Sequence, residues 1–310
     1  MWFRQAQLFQ LSNKIIFSPE SLNKNLKQFL FSPCLPSMPQ SIGWVSPHTF
    51  DEDNTLFRAI NDRVMLCLQF EEKILPSGVI KQHLIEKIKE IELNSGRKVR
   101  FAEKNSLKDE IVMTLLPRAF SRINRIYGYI DLKQQQLIIG SAQTKQVAQF
   151  VNFFQKAFSN QLKPVQLDGL AAQMTSWLKS QDYPSTLAIE KSCVLQDPDQ
   201  TSRTIRCQQQ DLSVEAVQAF LATGCQSKQL RLTWQDQVTF TLVDPFLLQS
   251  IKFQDEIIAR AKEMDAESAE QQFDADFFIM SEIISQLFAE LIDICNAKLI
   301  SIPEKIAEVA

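Results

Sequence analysis

Residues 64–96 read VMLCLQFEEKILPSGVIKQHLIEKIKEIELNSG, and the fold turns on the change of period inside them. Residues 64–70 are a short apolar run of the kind that forms a strand. After Pro76 the residues Ile80, Leu84, Ile88 and Ile91 recur at helical spacing, and Gly96 supplies a stop because it enters the left-handed conformation without steric cost. A second helix is expected to begin near Ser106, whose hydroxyl can cap it while Asp109 reaches back, with Leu107, Ile111, Leu115 and Leu116 on one side. Pro117, which lacks an N–H, ends it. Two helices joined by a basic connection predict a projecting helical hairpin.

Before this stretch, residues 6–9 read as a strand and residues 21–31 have helical spacing. Residues 32–53 carry Pro33, Pro36, Pro39 and Pro47, each of which fixes φ and withholds a donor, so an irregular segment held by Trp44 and Phe50 is expected. After the hairpin, residues 127–139 read as a strand, a turn at Lys133, Gln134 and Gln135, and a second strand, followed by a helix through Phe158. Residues 230–243 repeat that order around Gln235, Asp236 and Gln237, with a helix near 253–262, as a degenerate internal duplication would. From Ala275 the spacing of Phe278, Ile279, Ile283, Leu287, Leu291 and Ile294 predicts a long, well-buried helix with a structural role. Glu282, Glu290, Asp293 and Lys298 interrupt this apolar stretch and argue against a membrane span, and residues 1–7 carry no secretion-signal pattern.

The chain has 310 residues, 45% of them hydrophobic and 22% charged, which is enough to bury a sizeable core. Its net charge of −3 taken alone argues against a nucleic-acid partner, but the charge is unevenly placed. Within residues 97–125, Arg97, Lys98, Arg100, Lys104, Lys108, Arg118, Arg122 and Arg125 are opposed only by Glu103, Asp109 and Glu110. From Asp255 onward acidic residues outnumber Arg260, Lys262, Lys298 and Lys305. The expected molecule has one basic surface and most of its negative charge elsewhere.

Chemistry for catalysis is sparse. His48 and His83 are the only histidines, no Ser or Cys stands in a nucleophile setting, and none of the seven glycines forms a phosphate loop. Cys34, Cys67, Cys193, Cys207, Cys225 and Cys295 are scattered without metal-ligand spacing and read as reduced, mostly buried thiols. Asp274 and Asp276 form a carboxylate pair that can hold magnesium in a nuclease, but a place at the start of the last helix, where the dipole favours negative charge, is the preferred reading. No catalytic residue, metal or cofactor is therefore expected.

Lysine and arginine gain affinity for duplex DNA by releasing counterions condensed on the phosphates, without needing any base sequence. Residues 73–125 supply that chemistry, with Arg118 and Arg122 flanking Phe120, where extended backbone would put all three on one side. An ordinary solvated face, neutralised by Glu86, Glu90 and Glu103, accounts for the same composition. Phe120 has three readings: buried anchor, subunit contact or base-stacking group, of which the first two are favoured.

The stretches Glu71-Glu72-Lys73-Ile74-Leu75-Pro76-Ser77 and Leu115-Leu116-Pro117-Arg118-Ala119-Phe120-Ser121-Arg122, with Ser106-Leu107-Lys108-Asp109-Glu110 between them, closely resemble the RdgC family. Met1-Trp2-Phe3, Gly43-Trp44-Val45, Ile205-Arg206, Gln210-Asp211-Leu212 and Phe273-Asp274-Ala275-Asp276-Phe277 extend the resemblance in the same order over nearly the whole chain. The resemblance implies an α+β protomer with mixed sheets, pairing at two ends into a ring-shaped homodimer whose basic hole encircles double-stranded DNA with little sequence preference, single-stranded DNA being a weaker partner. It also implies restraint of the RecA recombinase by occupation of its DNA, and a cytoplasmic, nucleoid-associated location.

Together these readings divide the chain into a first α+β lobe (1–72 with 123–165), a basic helical projection (73–122) and a second α+β lobe with the long C-terminal helix (166–310). Lys73, Lys81, Arg97, Lys98, Arg100, Arg118 and Arg122 are assigned to DNA, and Phe120 to a subunit contact. One departure from the family pattern is Gln208 with Gln209, in a stretch that looks lysine-rich in relatives; amides bond phosphate but release no counterions. Two rivals remain: a regulator that acts by touching recombination proteins, and a metal nuclease using Asp274 and Asp276.

Overall fold

The computed structural model describes residues 1–48, 55–264 and 268–295. Phe50 lies outside them. The elements run β1 (Ala6–Leu11), α1 (Pro19–Lys27), β2 (Gln40–Val45), β3 (Phe57–Ile60), β4 (Arg63–Lys73), α2 (Ser77–Ser95), α3 (Phe101–Leu115), β5 (Ser121–Asp131), β6 (Gln136–Ile139), α4 (Thr144–Phe158) and β7 (Leu162–Pro164). They continue with α5 (Leu170–Ser180), β8 (Leu187–Gln196), β9 (Thr204–Gln208), α6 (Glu215–Ala222), β10 (Gln226–Trp234), β11 (Val238–Val243), β12 (Leu247–Phe253), α7 (Asp255–Lys262) and α8 (Ala269–Ile294). The α+β class expected from the sequence is what the chain adopts, but the mixed sheets expected with it are replaced by one antiparallel sheet, because no described strand is joined to a parallel neighbour through a crossover helix.

Among the described residues one sheet runs in the order β2-β4-β5-β6-β1-β12-β11-β10-β8-β9, with β3 on β4 and β7 on β1. Every pairing is antiparallel. Strand β1 is the seam. On its left lie β6, β5 and β4, on its right β12, β11 and β10, and a helix follows the hairpin strands on each side. The repeated order read from the sequence is offset by one strand, because β12 intervenes between the β10–β11 hairpin and α7.

The apolar pattern of each strand explains which faces are covered. Successive side chains on a strand point to opposite faces. In β4, Val64, Leu66 and Leu68 join Phe150 and Phe154 of α4 in one core, while Met65 joins the other. Leu137 and Ile139 of β6 likewise oppose Ile138, so the left half of the sheet is buried on both sides. This is why residues 64–70 read as a continuous apolar run rather than an alternation. On the right half, Leu230, Leu232, Val238, Phe240 and Leu242 face the single core that α5 and α8 close. The opposite face there is polar: Thr233 Oγ1 meets Glu190 at 2.7 Å and Thr239 at 2.9 Å.

Helix α8 lies against both halves. Phe277 packs on Tyr129 of β5 with ring centroids 5.9 Å apart, and Phe288 packs on Phe246 at 5.3 Å. Charged groups fix its position. Arg63 donates to Glu282 at 2.7 Å, Trp234 Nε1 donates to Glu290 at 2.8 Å, and Arg58 pairs with Asp274 and Glu270. Burial raises the Glu282 pKa, but the Arg63 guanidinium and the Gln286 amide outweigh it and hold the carboxyl below its ordinary value. The helix begins at Ala269 behind a Ser268 capping box, so Asp274 and Asp276 lie inside it rather than at its start.

Residues 32–48 are more regular than the prolines implied. Strand β2 pairs with β4 along its whole length, and residues 29–31 return against its outer edge through Trp44 N–H to Phe29 O at 2.9 Å and Phe31 N–H to Trp44 O at 3.0 Å. Gly43 permits this approach: a Cβ there would meet the Phe31 backbone and lie 2.8 Å from Leu30 C. Gly43→Ala is expected to lower stability by about 1–3 kcal/mol in urea unfolding. Gly78→Ala, with open space around it, should be neutral or mildly stabilising, and equal effects at the two sites would refute this account.

Candidate nucleic-acid interface

The basic segment is a helical hairpin grown from the ends of β4 and β5. Those strands pair from Arg63↔Asp131 to Lys73↔Ser121, and Ile74 N–H then donates to Phe120 O at 2.7 Å, so both strands leave the sheet together. Glu71 anchors this exit. Its carboxylate accepts Cys34 N–H at 2.8 Å and a bond from Ser121, and both hold it below the usual carboxylate range.

Helix α2 ends where expected, with Gly96 at φ 64°. Helix α3 is capped six residues earlier than at Ser106, because Arg100 is the extended N-cap residue and Glu103, at the third helical position, reaches back to its N–H. Ser106 is mid-helix and donates to Ala102 O at 3.3 Å. The competing acceptor was legible only in the fold, since Arg97 grips Glu103 with two bonds of 2.8 and 2.9 Å and places it at that cap.

The hairpin packs on itself. Val99, Leu107, Ile111 and Leu116 are buried but belong to neither core of the sheet, and α2 buries no residue fully. An apolar helix without a covered face leaves side chains in water. Leu93 is 84% exposed, Phe101 79%, Met113 76% and Phe120 86%, with Ile74, Val79, Ile85 and Ile123 also exposed. Within this chain, then, Phe120 is not a buried anchor. Leu93 and Phe101, at the tip, escaped the sequence reading because a helix start at Ser106 left Phe101 in a loop.

The seven basic residues fall into two groups. Arg97, Lys98 and Arg100 sit at the tip, while Lys73, Lys81, Arg118 and Arg122 sit toward the base. A 19-residue α2 separates the groups by about 28 Å. Lys81, Lys98 and Arg118 are exposed and carry no ion pair among the described residues, and Lys104 and Lys108 of α3 add to them. Arg97 is paired with Glu103, and Arg122 lies 3.4 Å from Glu72 across the strands. Arg118 belongs to a 3-10 turn (Leu116–Arg118) and only Arg122 to a strand, so the extended run expected across Arg118, Phe120 and Arg122 is broken. Gln208 and Gln209 lie at β9, the opposite end of the sheet order, and form no part of this surface.

Other candidate chemistry disperses. His83 is exposed on α2 with Nδ1 3.7 Å from Glu86. Asp274 is paired with Arg58, and Asp276 with the Met1 amine. Among the described residues no group of three or more His, Cys, Asp or Glu side chains is placed to hold a metal, and no helix is long and apolar enough to cross a membrane.

Fold and surface define an α+β protein on one antiparallel sheet with a self-packed, basic helical projection. A family model described as "Putative exonuclease, RdgC" matches residues 1–297. Recombination-associated protein RdgC of Yersinia enterocolitica is 33% identical over 295 residues, covering 94% of this chain and 97% of the relative. Its counterpart from Psychromonas ingrahamii is 33% identical over 290 residues, covering 93% and 95%. The chain belongs to the RdgC family.

Proposed function

We propose that this protein binds double-stranded DNA without sequence preference and acts in recombination and replication as a ring-shaped homodimer around the duplex. By occupying DNA it restrains the RecA recombinase, and it resides with the nucleoid in the cytoplasm. The observation that carries this reading is the hairpin: its cations stand in solvent at tip and base while several of its apolar side chains, Leu93, Phe101, Met113 and Phe120 among them, lack cover inside the protomer. Lysine and arginine spaced over about 28 Å match roughly eight base pairs of phosphate at 3.4 Å per step. The exposed Phe120, Leu93 and Phe101 favour a second copy as the cover, because a monomer seldom leaves so many apolar groups in water. The name carried by the relatives, recombination-associated protein, agrees with a DNA-directed role.

The family description also names an exonuclease. We favour a non-enzymatic reading, since Asp274 and Asp276 are each neutralised by a cation and serve to seat α8. A regulator that touches recombination proteins directly would use the same exposed apolar groups; capture of such a partner from nuclease-treated extract would favour it.

Fluorescence anisotropy with unrelated linear duplexes across a salt series tests the main reading. Affinities should be similar between sequences and fall by roughly 10³-fold from 50 to 200 mM salt if about six phosphates are neutralised. Arg118→Glu with Arg122→Glu should weaken every duplex alike and flatten the salt slope by about one per lost contact; unchanged binding by the folded double variant removes these residues from the site.

Phe120→Ser tests the dimer. Its ring touches little in the protomer, so thermal unfolding of the protomer should change little, while sedimentation should report weaker self-association and closed circular DNA should be held less well. An unaltered dimer would exclude Phe120 from the contact.

A further inference from the structure

Strand β9 ends the sheet order and pairs with β8 alone among the described strands. Their register sets Cys193 directly opposite Cys207, flanked by Val194↔Arg206 and Ser192↔Gln208. Both thiols turn into the core that holds Leu195, Leu212 and Leu230. Opposed residues of an antiparallel pair share a face with Cα atoms about 4.5–5.5 Å apart, inside the roughly 4.4–6.8 Å that a disulfide spans. Cys67, by contrast, faces Val45 and Tyr127.

We propose that Cys193 and Cys207 are a redox modification site, forming a reversible cross-strand disulfide that fastens the edge strand β9 to β8. The oxidant is a low-molecular-weight disulfide such as oxidised glutathione. One cysteine thiolate attacks a glutathione sulfur and expels the first glutathione as thiolate; the second cysteine then attacks the mixed disulfide at the protein sulfur and expels the other. Two protein thiols lose two protons and two electrons, and one oxidised glutathione becomes two reduced ones.

Geometry makes the step slow and the bond labile. Burial, and then the neighbouring Cys207, push the Cys193 thiol up to about 12, so the attacking thiolate is scarce while the strands are closed. An edge strand opens more readily than a central one, which gives the oxidant access. Cross-strand Cβ atoms stand about 4.5–5.5 Å apart and a disulfide wants about 3.5–4.5 Å, so β9 must draw in by roughly 1 Å. Such strain raises the reduction potential and keeps the bond reducible. Once closed, it fixes the strand whose outward residues include Arg206 and Gln208.

The test equilibrates the full chain in graded mixtures of oxidised and reduced glutathione, quenches in acid, alkylates under denaturing conditions and maps peptides by mass spectrometry. A Cys193–Cys207 linkage that appears in native buffer and is undone by dithiothreitol is the expected result. Backbone amides of β9 should then exchange about ten-fold or more slowly in the oxidised protein, since the bond closes the loop from 193 to 207, and not in Cys207→Ala. Both thiols alkylated at every ratio, or a linkage formed only in guanidinium, overturns the proposal; the map of the unaltered chain decides this even where the variant fails to fold.

Discussion

Everything else in this protein depends on the seating of α8 across the sheet. A sheet this long, in which the right half buries only one face, needs one element that both halves share. Helix α8 supplies it, with Phe277 on Tyr129 of β5, Phe288 on Phe246 just before β12, and Met280, Ile284, Leu287 and Leu291 in the same core. The apolar contact is non-directional and would permit sliding. The ion pairs from Arg58 and Arg63 and the Trp234–Glu290 bond remove that freedom, because partly buried charges are costly to leave unmatched. The acidic C-terminal region thereby has a structural account: Glu270, Asp274 and Glu282 are matched to arginines of the sheet, away from the hairpin, whose own carboxylates offset only part of its positive charge.

The hairpin obeys the reverse rule. Strands β4 and β5 are each eleven residues long, and their far ends outrun the core that supports them. What grows from those ends has only itself to pack on, and its small interior of Val99, Leu107, Ile111 and Leu116 satisfies part of its apolar surface. The rest stays in water beside unpaired lysines and arginines. A projection that is apolar, cationic and detached from both cores is poorly explained as scaffold, and is well suited to meet another molecule.

The sheet's two ends also differ in a way that bears on dynamics. Strand β2 is covered at its outer edge by residues 29–31, a cover that Gly43 makes possible. Strand β9 has no such cover among the described strands, and opposes a cysteine to a cysteine at its inner edge. Exposed edges are normally blunted by short length or charge, and β9 is five residues long with Arg206 on its open face.

The long helix, the hairpin helix ending at Gly96, the paired strands around Lys133 to Gln135 and the basic character of residues 97–125 were all legible in the sequence, because period, turn chemistry and charge are local properties. The family motifs were legible for the same reason. Where a local signal had a distant competitor the sequence misled: Ser106 looked like a cap until Arg97 and Glu103 were seen to build one at Arg100, and the prolines of 32–48 hid a strand that β4 pulls into register. Phe120 looked like packing material, yet no core reaches it. The sequence by itself determined which elements form and where the charge lies. The tertiary structure alone decided which apolar residues find cover, that the cations divide between tip and base, and that Cys193 meets Cys207, since burial and cross-strand register arise only when distant segments share one sheet.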